Sequence, residues 1–356
     1  MTVSDVACAP MTAVGTGAGL GALQALRASW RSVLAGRNVR VALADGEDPR
    51  VIAAAARLSE SGAVAPYLVG RRTVIQDVAV HSGIRPPRES AIVDLACPTE
   101  AERLAGALRD ALCPRLTETE IVALQADPLY AATALLRMGS VDACVAGASR
   151  PTAEVLRAGL RVIGMASGTH TLSSCFLMAL PSEQLIGYGD CAVIPMPDDQ
   201  QLAEIAVATA TTYRSLTGVP PVVAMLSFST MGSAAHTEVD KVRRAAQIAR
   251  RLCPELPIEG ELQFDAAFVA DIGASKAPGS LVAGRANVMI FPNLDAGNIA
   301  YKITQRIGGA AALGPILQGF AKPINDLSRG CSVDDIEFVA LASAVQAVTA
   351  AAPLPK

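Results

Sequence analysis

The chain has 356 residues, of which 51% are hydrophobic and 18% charged, too apolar for a disordered segment and long enough for more than one core. A formal net charge of −3 without a basic block, together with 4% aromatic residues, argues against a nucleic-acid groove or a base-stacking platform. No run approaches the roughly 18 consecutive apolar residues of a membrane span, and residues 1–20 lack the basic start and apolar stretch of a secretory leader.

The Gly/Ala/Thr-rich opening reads as a loose tail over residues 1–20, leading to a helix around Ala22–Leu34. Val39–Ala44 predicts a strand, Asp45-Gly46-Glu47-Asp48-Pro49 a solvated acidic turn, and Val51, Ile52, Ala55 and Leu58 a helix. The acidic residues suit that helix's N-terminus. Pro66–Val69, Ala91–Ala96 and Asp142–Ala146 are further strands, the first and last ending at Gly70 and Gly147. Strands alternating with helical patterns predict an α/β fold with mostly parallel sheets flanked by helices, where ligands sit off the carboxyl ends of strands. Asp127 is placed to cap a helix that has Pro128 at its first position and runs to Met138. Thr152 is placed to cap another, carrying Arg157 and Arg161.

From Thr171 the pattern changes to a long β-prone run ending at Leu180, and a helix follows from Asp198. Val222–Leu226 predicts a strand that runs into Ser227–Ser233, a loop in which Ser229, Thr230 and Ser233 form either an oxyanion cradle or an ordinary turn. The loop lacks the G-x-x-x-x-G-K-[ST] of a Walker motif, and no G-x-G-x-x-G set points to hydride transfer. Thr237 and Asp240 are candidate caps for the next helix. After the strand Val288–Phe291, Asn298 and Lys302 flank a predicted helix start, within reach of a phosphate, although Lys302 reads equally well as a surface lysine.

The C-terminal stretch Gly314–Asp335 has little core-forming content and ends in Ser332-x-x-Asp335, a capping-box pattern, ahead of apolar positions at helical spacing from Ile336 to Val348. Ser328-Arg329-Gly330 therefore lies just before a helix N-terminus, where free N–H groups and a guanidinium attract anions. Eight cysteines are scattered without C-x-x-C pairs, which predicts a reduced, cytoplasmic protein with cysteines in its core. His81, His170 and His236 show no ligand spacing, so no metal is expected.

NDLSRGCS and its upstream flank GPILQGFAKP, preceded in order by ADPLYAATALLRMG, AMLSFSTMGSA, EGELQFDAA and FPNLDAGNIAYK, resemble the phosphate acetyltransferases of the phosphate acetyl/butyryltransferase family. The resemblance runs from Asn38 to the end of the chain. It implies two α/β domains with a substrate cleft between them, a first formed by residues 1–168 plus 313–356 and a second, inserted one by residues 169–312. It further implies a cytoplasmic homodimer acting on acetyl-CoA and phosphate, with coenzyme A as substrate, no tightly bound cofactor, and neither nucleic acid nor membrane as partner. The implied reaction is reversible transfer of acetyl between coenzyme A and inorganic phosphate by direct attack in a ternary complex.

By that resemblance Arg329 stabilises the oxyanion, Ser328 donates to the leaving thiolate and Asp335 takes the thiol proton in reverse. A carboxylate in a helix's first turn is a weakened base, so capping and catalysis both remain open for Asp335. Arg157 falls where the family contacts coenzyme A phosphates, whereas the family's upstream basic segment is not matched, leaving Arg115 or Arg109 to serve. Ala44-Asp45 replaces a Pro-Glu pair, and Ile194 and Met196 replace asparagines. Three alternatives follow. One is a propionyl- or butyryl-specific enzyme, and another a non-catalytic acyl-CoA-binding regulator. The third is a ping-pong route through a Cys331 thiol activated by the helix N-terminus and an arginine.

Overall fold

The computed structural model describes residues 20–113 and 115–349, so the expected tail lies outside it except for Leu20, the first residue of a helix. Helices and strands alternate as far as β3, after which three helices precede β4: α1 (Leu20–Leu34), β1 (Arg40–Leu43), α2 (Pro49–Ser61), β2 (Ala65–Gly70), α3 (Arg72–His81), β3 (Ile92–Asp94), α4 (Pro98–Leu112), α5 (Glu118–Gln125), α6 (Pro128–Arg137), β4 (Ala143–Ala146) and α7 (Thr152–Val162). Then come β5 (Ser173–Ala179), β6 (Leu185–Gly189), α8 (Asp199–Thr217), β7 (Val223–Leu226), α9 (Thr237–Leu252) and β8 (Ile258–Leu262). The chain closes with α10 (Phe264–Phe268), α11 (Ala270–Lys276), β9 (Val288–Ile290), α12 (Leu294–Arg306), β10 (Ala311–Gln318), β11 (Ile324–Asp326) and α13 (Val333–Thr349).

Five strands form a wholly parallel sheet in the order β11-β4-β1-β2-β3. Six form a second sheet, β10-β5-β6-β9-β7-β8, in which β5 runs against both neighbours. β10 lies in the second sheet, so the chain returns to the first sheet after Gln318 and not at 313. The cause is its antiparallel pairing with β5, which continues to Gln318 opposite Ser173. This pairing, with that of β11 on β4, makes Gly314–Asp335 richer in core than its composition implies, for Ile316, Leu317, Ile324 and Asn325 are all buried.

Local caps decide where several helices begin. Asp127 accepts from Leu129 N–H at 2.9 Å, and Asp198 closes a capping box with Gln201. Two expected caps are not made. Pro151 holds the N-cap position of α7 without a side-chain bond, and Thr152, its first helical residue, gives its hydroxyl to Asp326. His236 caps α9, its ring nitrogen accepting from Glu238 N–H at 3.2 Å, ahead of Thr237 and Asp240.

A single apolar cluster joins the two sheets, running from Trp30 and Leu43 through Phe338 and Leu341 of α13 to Tyr213 of α8 and Val223 of β7. Trp30 packs on Phe338 with ring centroids 4.6 Å apart and donates to Leu216 O. Where β10 hands over to β11, a buried polar network pins the junction. Asn325 accepts from Leu317 N–H at 2.6 Å and donates to Ser343 and Gln346 at 2.8 and 2.7 Å. Gln318 donates to Thr212 of α8 at 2.7 Å. Replacing Asn325 by Leu strands the Leu317 N–H without water, and the expected loss of unfolding free energy is about 2 kcal/mol or more, measured by chemical denaturation.

Candidate active site

Because β1, β4 and β11 are parallel neighbours, the loops after them leave the same sheet edge. After β1, Asp45 accepts from Gly147 N–H and Ala148 N–H at 2.9 and 3.1 Å, and from the Ser149 hydroxyl. Gly147, after β4, has φ +101°, and a Cβ there would stand 2.1 Å from Asp326 Oδ1 and 2.8 Å from Leu327 O. Only glycine lets the β4 and β11 loops close on each other.

Arg50, in the first turn of α2, holds the loop after β11. Its Nη1 donates to the carbonyls of Arg329 and Cys331, each at 2.9 Å, and its Nη2 donates to Ala148 O at 2.9 Å. Asp48 fixes the same guanidinium through contacts of 2.7 and 3.1 Å. Burial alone would raise the Asp48 carboxyl, but the bonds from Arg50 outweigh it and hold the group below its ordinary value. The acidic turn expected to be merely solvated is thus an anchor, in which a planar fork of donors crosslinks two loops. Glu47, in the same turn, pairs with Arg71.

The anchored loop presents Ser328, Arg329 and Gly330 to solvent. Ser328 Oγ accepts from Gly330 N–H at 3.3 Å, and Cys331 N–H donates to Ser328 O at 2.9 Å. One turn on, Asp335 Oδ2 accepts from Ser332 N–H and its hydroxyl at 2.9 and 2.8 Å, while Asp335 N–H donates to Ser332 Oγ at 3.2 Å. The capping box is therefore formed, and the Asp335 side chain stays exposed. Cys331 differs from the activated thiol expected of it. It is buried, and burial, only partly offset by Arg50, pushes its thiol up to about 11. It packs under the loop as an inert small residue.

Comparison with known proteins identifies the family. The family model described as Phosphate acetyl/butaryl transferase matches residues 27–344. A phosphate acetyltransferase from Clostridium acetobutylicum is 44% identical over 314 residues, spanning 86% of this chain and 94% of that one. Another from Acetivibrio thermocellus is 41% identical over 319 residues, spanning 86% and 93%. The crystal structure of a phosphotransacetylase from Streptococcus pyogenes superposes with a TM-score of 0.87 at 39% identity, covering 92% of this chain and 99% of that one. The chain belongs to the phosphate acetyl/butaryl transferase family.

The other expected site residues of this family member fall into separate groups. Arg157 is exposed on α7, the helix whose first residue is bonded to Asp326. Arg115 is exposed beyond α4, and Arg109 is paired with Glu118. Around Ser229, Thr230 and Ser233 the donors turn inward. Ser229 Oγ and Gly232 N–H each donate to Glu261 Oε1 at 2.8 Å, and Arg243 Nε donates to Oε2 at 2.7 Å. Thr230 N–H donates to Ser233 Oγ at 3.0 Å, and Thr230 Oγ1 accepts from Gln263 N–H at 2.9 Å. The anion in this cradle is the protein's own carboxylate. Burial would raise Glu261, but Arg243 and the loop donors prevail and hold it at about 2.

Asn298 and Lys302 lie inside α12, which starts at Leu294 under an Asn293 cap, and so do not flank a helix start. Asn298 donates to Cys191 O at 3.2 Å, and Lys302 is exposed beside the Tyr301 ring. Ile194 is half-buried against the shared core, whereas Met196 is 65% exposed. Asp45, Arg50, Glu261 and Asp326 escape the motif reading. Their one sequence signal is an acidic or basic residue directly after an apolar strand or within a matched stretch.

Two outcomes follow. Arg50→Ala should lower turnover by about 100-fold through loss of loop geometry, and Arg50→Lys should not restore it, since a compact ammonium lacks the planar fork of donors that holds three carbonyls and Asp48 together; steady-state assays decide. Because Glu261 is held low, its stabilisation is complete above the ordinary carboxylate range and lost as pH falls toward about 2. Acid titration of Glu261→Gln should therefore show the wild type's stability advantage shrinking over that window.

Proposed function

We propose that the chain is a phosphate acetyltransferase that converts acetyl-CoA and phosphate reversibly into acetyl phosphate and coenzyme A in a ternary complex. The observation that carries the reading is the solvent-facing Ser328–Arg329 loop, fixed through its backbone carbonyls and so leaving its side chains for ligands. A phosphate oxygen attacks the thioester carbonyl carbon. The carbonyl oxygen gains charge that Arg329 stabilises, by roughly 3–4 kcal/mol for such a donor. The C–S bond then breaks, Ser328 donates to the departing thiolate, and the carbonyl reforms. In reverse, Asp335 accepts the proton of the coenzyme A thiol. Holding two anionic substrates in register supplies much of the rate.

Arg157, with Arg115 as the upstream basic group, binds coenzyme A phosphates, and exposed Lys302 is a further phosphate contact. Ser229, Thr230, Ser233 and Asn298 act by shaping the loops beside the substrates, since their polar atoms are engaged within the protein. Coenzyme A is a substrate, and no tightly bound cofactor takes part. The acetyl group is preferred to propionyl or butyryl, following the names of the relatives. A purely regulatory role accords less well with the retention of Ser328, Arg329 and Asp335 together.

The enzyme is a cytoplasmic homodimer in this reading. Supporting a dimer, α12 exposes Ile299 and Ile303, and its C-cap residue Ile307 extends the apolar stripe. Supporting a reducing compartment, seven cysteines are free thiols among the described residues. No helix there is long and apolar enough to cross a membrane.

The test measures coenzyme A release from acetyl-CoA with and without phosphate, and traps acetyl phosphate. Phosphate-dependent, sequential turnover is expected, reduced at least ~100-fold by Arg329→Ala and retained by Cys331→Ala. Saturable acetyl-CoA binding without turnover would move the protein to the regulatory class. Light scattering on Ile303→Glu should show a monomer where the wild type is a dimer.

A further inference from the structure

Asp326 ends β11 two residues before Ser328 and is 1% exposed. Its Oδ2 accepts the hydroxyl of Thr152, and its Oδ1 is buried with no hydrogen-bond partner among the described residues. The arginines that follow β1 and β4 are engaged elsewhere. Arg50 is spent on Asp48 and three carbonyls, and Arg150 on Asp127 and Glu154. The charge that acts on Asp326 is that of another carboxylate, Asp45, which is held on Gly147 N–H. A buried acid without a cation is costly, and an asparagine could accept the same hydroxyl without that cost.

We propose that Asp326 and Thr152 form a positioning pair that ties the Ser328–Arg329 loop to the first turn of α7, setting the acyl-transfer groups at a fixed distance from the helix that bears Arg157. The inference rests on the acetyltransfer reading given above. The bond acts at the root of both parts, since Thr152 is the first residue of α7 and Asp326 immediately precedes Leu327 at the loop's base. Burial pushes the Asp326 carboxyl up to about 6, only partly countered by Thr152 and the Leu327 backbone, with Asp45 adding to the rise. Ionisation of Asp326 therefore falls where it alters the tie within the working range of a metabolic enzyme.

Thr152→Val removes the donor, Thr152→Ser keeps it, and Asp326→Asn keeps an acceptor without a charge. The expected result for Thr152→Val is a kcat lower by at least ~10-fold and faster amide hydrogen exchange over residues 327–331, both restored in Thr152→Ser. Asp326→Asn should retain turnover but lose the step at about pH 6 in the kcat profile. Wild-type kcat and exchange in a folded Thr152→Val would overturn the proposal. If that variant does not fold, an unchanged pH profile in Asp326→Asn overturns it instead. Should the wild type release no coenzyme A, the reaction reading fails, while hydrogen exchange still decides the tie.

Discussion

A single guanidinium fixes the part of the molecule that meets solvent at the sheet edge. The loop after β11 is short, and its exposed residues Ser328, Arg329 and Gly330 are held between only two buried side chains, Leu327 and Cys331. Its shape comes instead from its carbonyls, drawn onto Arg50, which Asp48 in turn holds from below. Hydrogen bonds to a charged donor contribute roughly 1.5–3 kcal/mol each, enough in combination to select one loop conformation. The same guanidinium reaches Ala148, so it ties the β4 loop to the β11 loop. The consequence is chemical. With the backbone held from inside, the hydroxyl of Ser328 and the charge of Arg329 are left for a ligand.

The loop after β7 shows the opposite use of similar parts. It too is rich in Ser, Thr and Gly and leads toward a helix, yet Glu261 occupies its concave side and takes donors from Ser229, Gly232 and Arg243. Both loops are organised by a buried or half-buried arginine–carboxylate pair. They differ in which polarity is consumed. Arg50 uses up carbonyl acceptors and leaves donors outside, whereas Glu261 uses up donors. An oxyanion has use for the first arrangement only.

This difference marks what a sequence can disclose. Signals that act over a few residues are legible: strands followed by Gly70 and Gly147, Asp127 before Pro128, and the Ser332–Asp335 box all form as their spacing implies. Signals decided by a distant competitor are not. Thr152 has a capping side chain, but Asp326 takes its hydroxyl, and Asp326 is 174 residues away. β10 looks like loop because Gly314 and Pro315 interrupt it, yet β5 recruits it across more than a hundred residues. Arg50 reads as a surface arginine at a helix start until the three carbonyls it holds are brought beside it. The family resemblance was legible because the matched stretches are long and ordered, whereas the supports beneath them are single residues.

Asp335 shows how a local role leaves room for the chemical one proposed for it. The capping box occupies one carboxylate oxygen, Oδ2, with both donors of Ser332. Those two bonds fix the side-chain rotamer, which a free surface aspartate would sample at an entropic cost on every turnover. The second oxygen remains available, and a carboxylate has lone pairs enough to accept a further proton donor. In the proposed reaction capping would aim that acceptor, and the same Ser332 hydroxyl caps the helix by accepting from Asp335 N–H. Anchoring from behind while leaving one face open is the same arrangement that Arg50 imposes on Ser328 and Arg329, repeated one turn further along the chain.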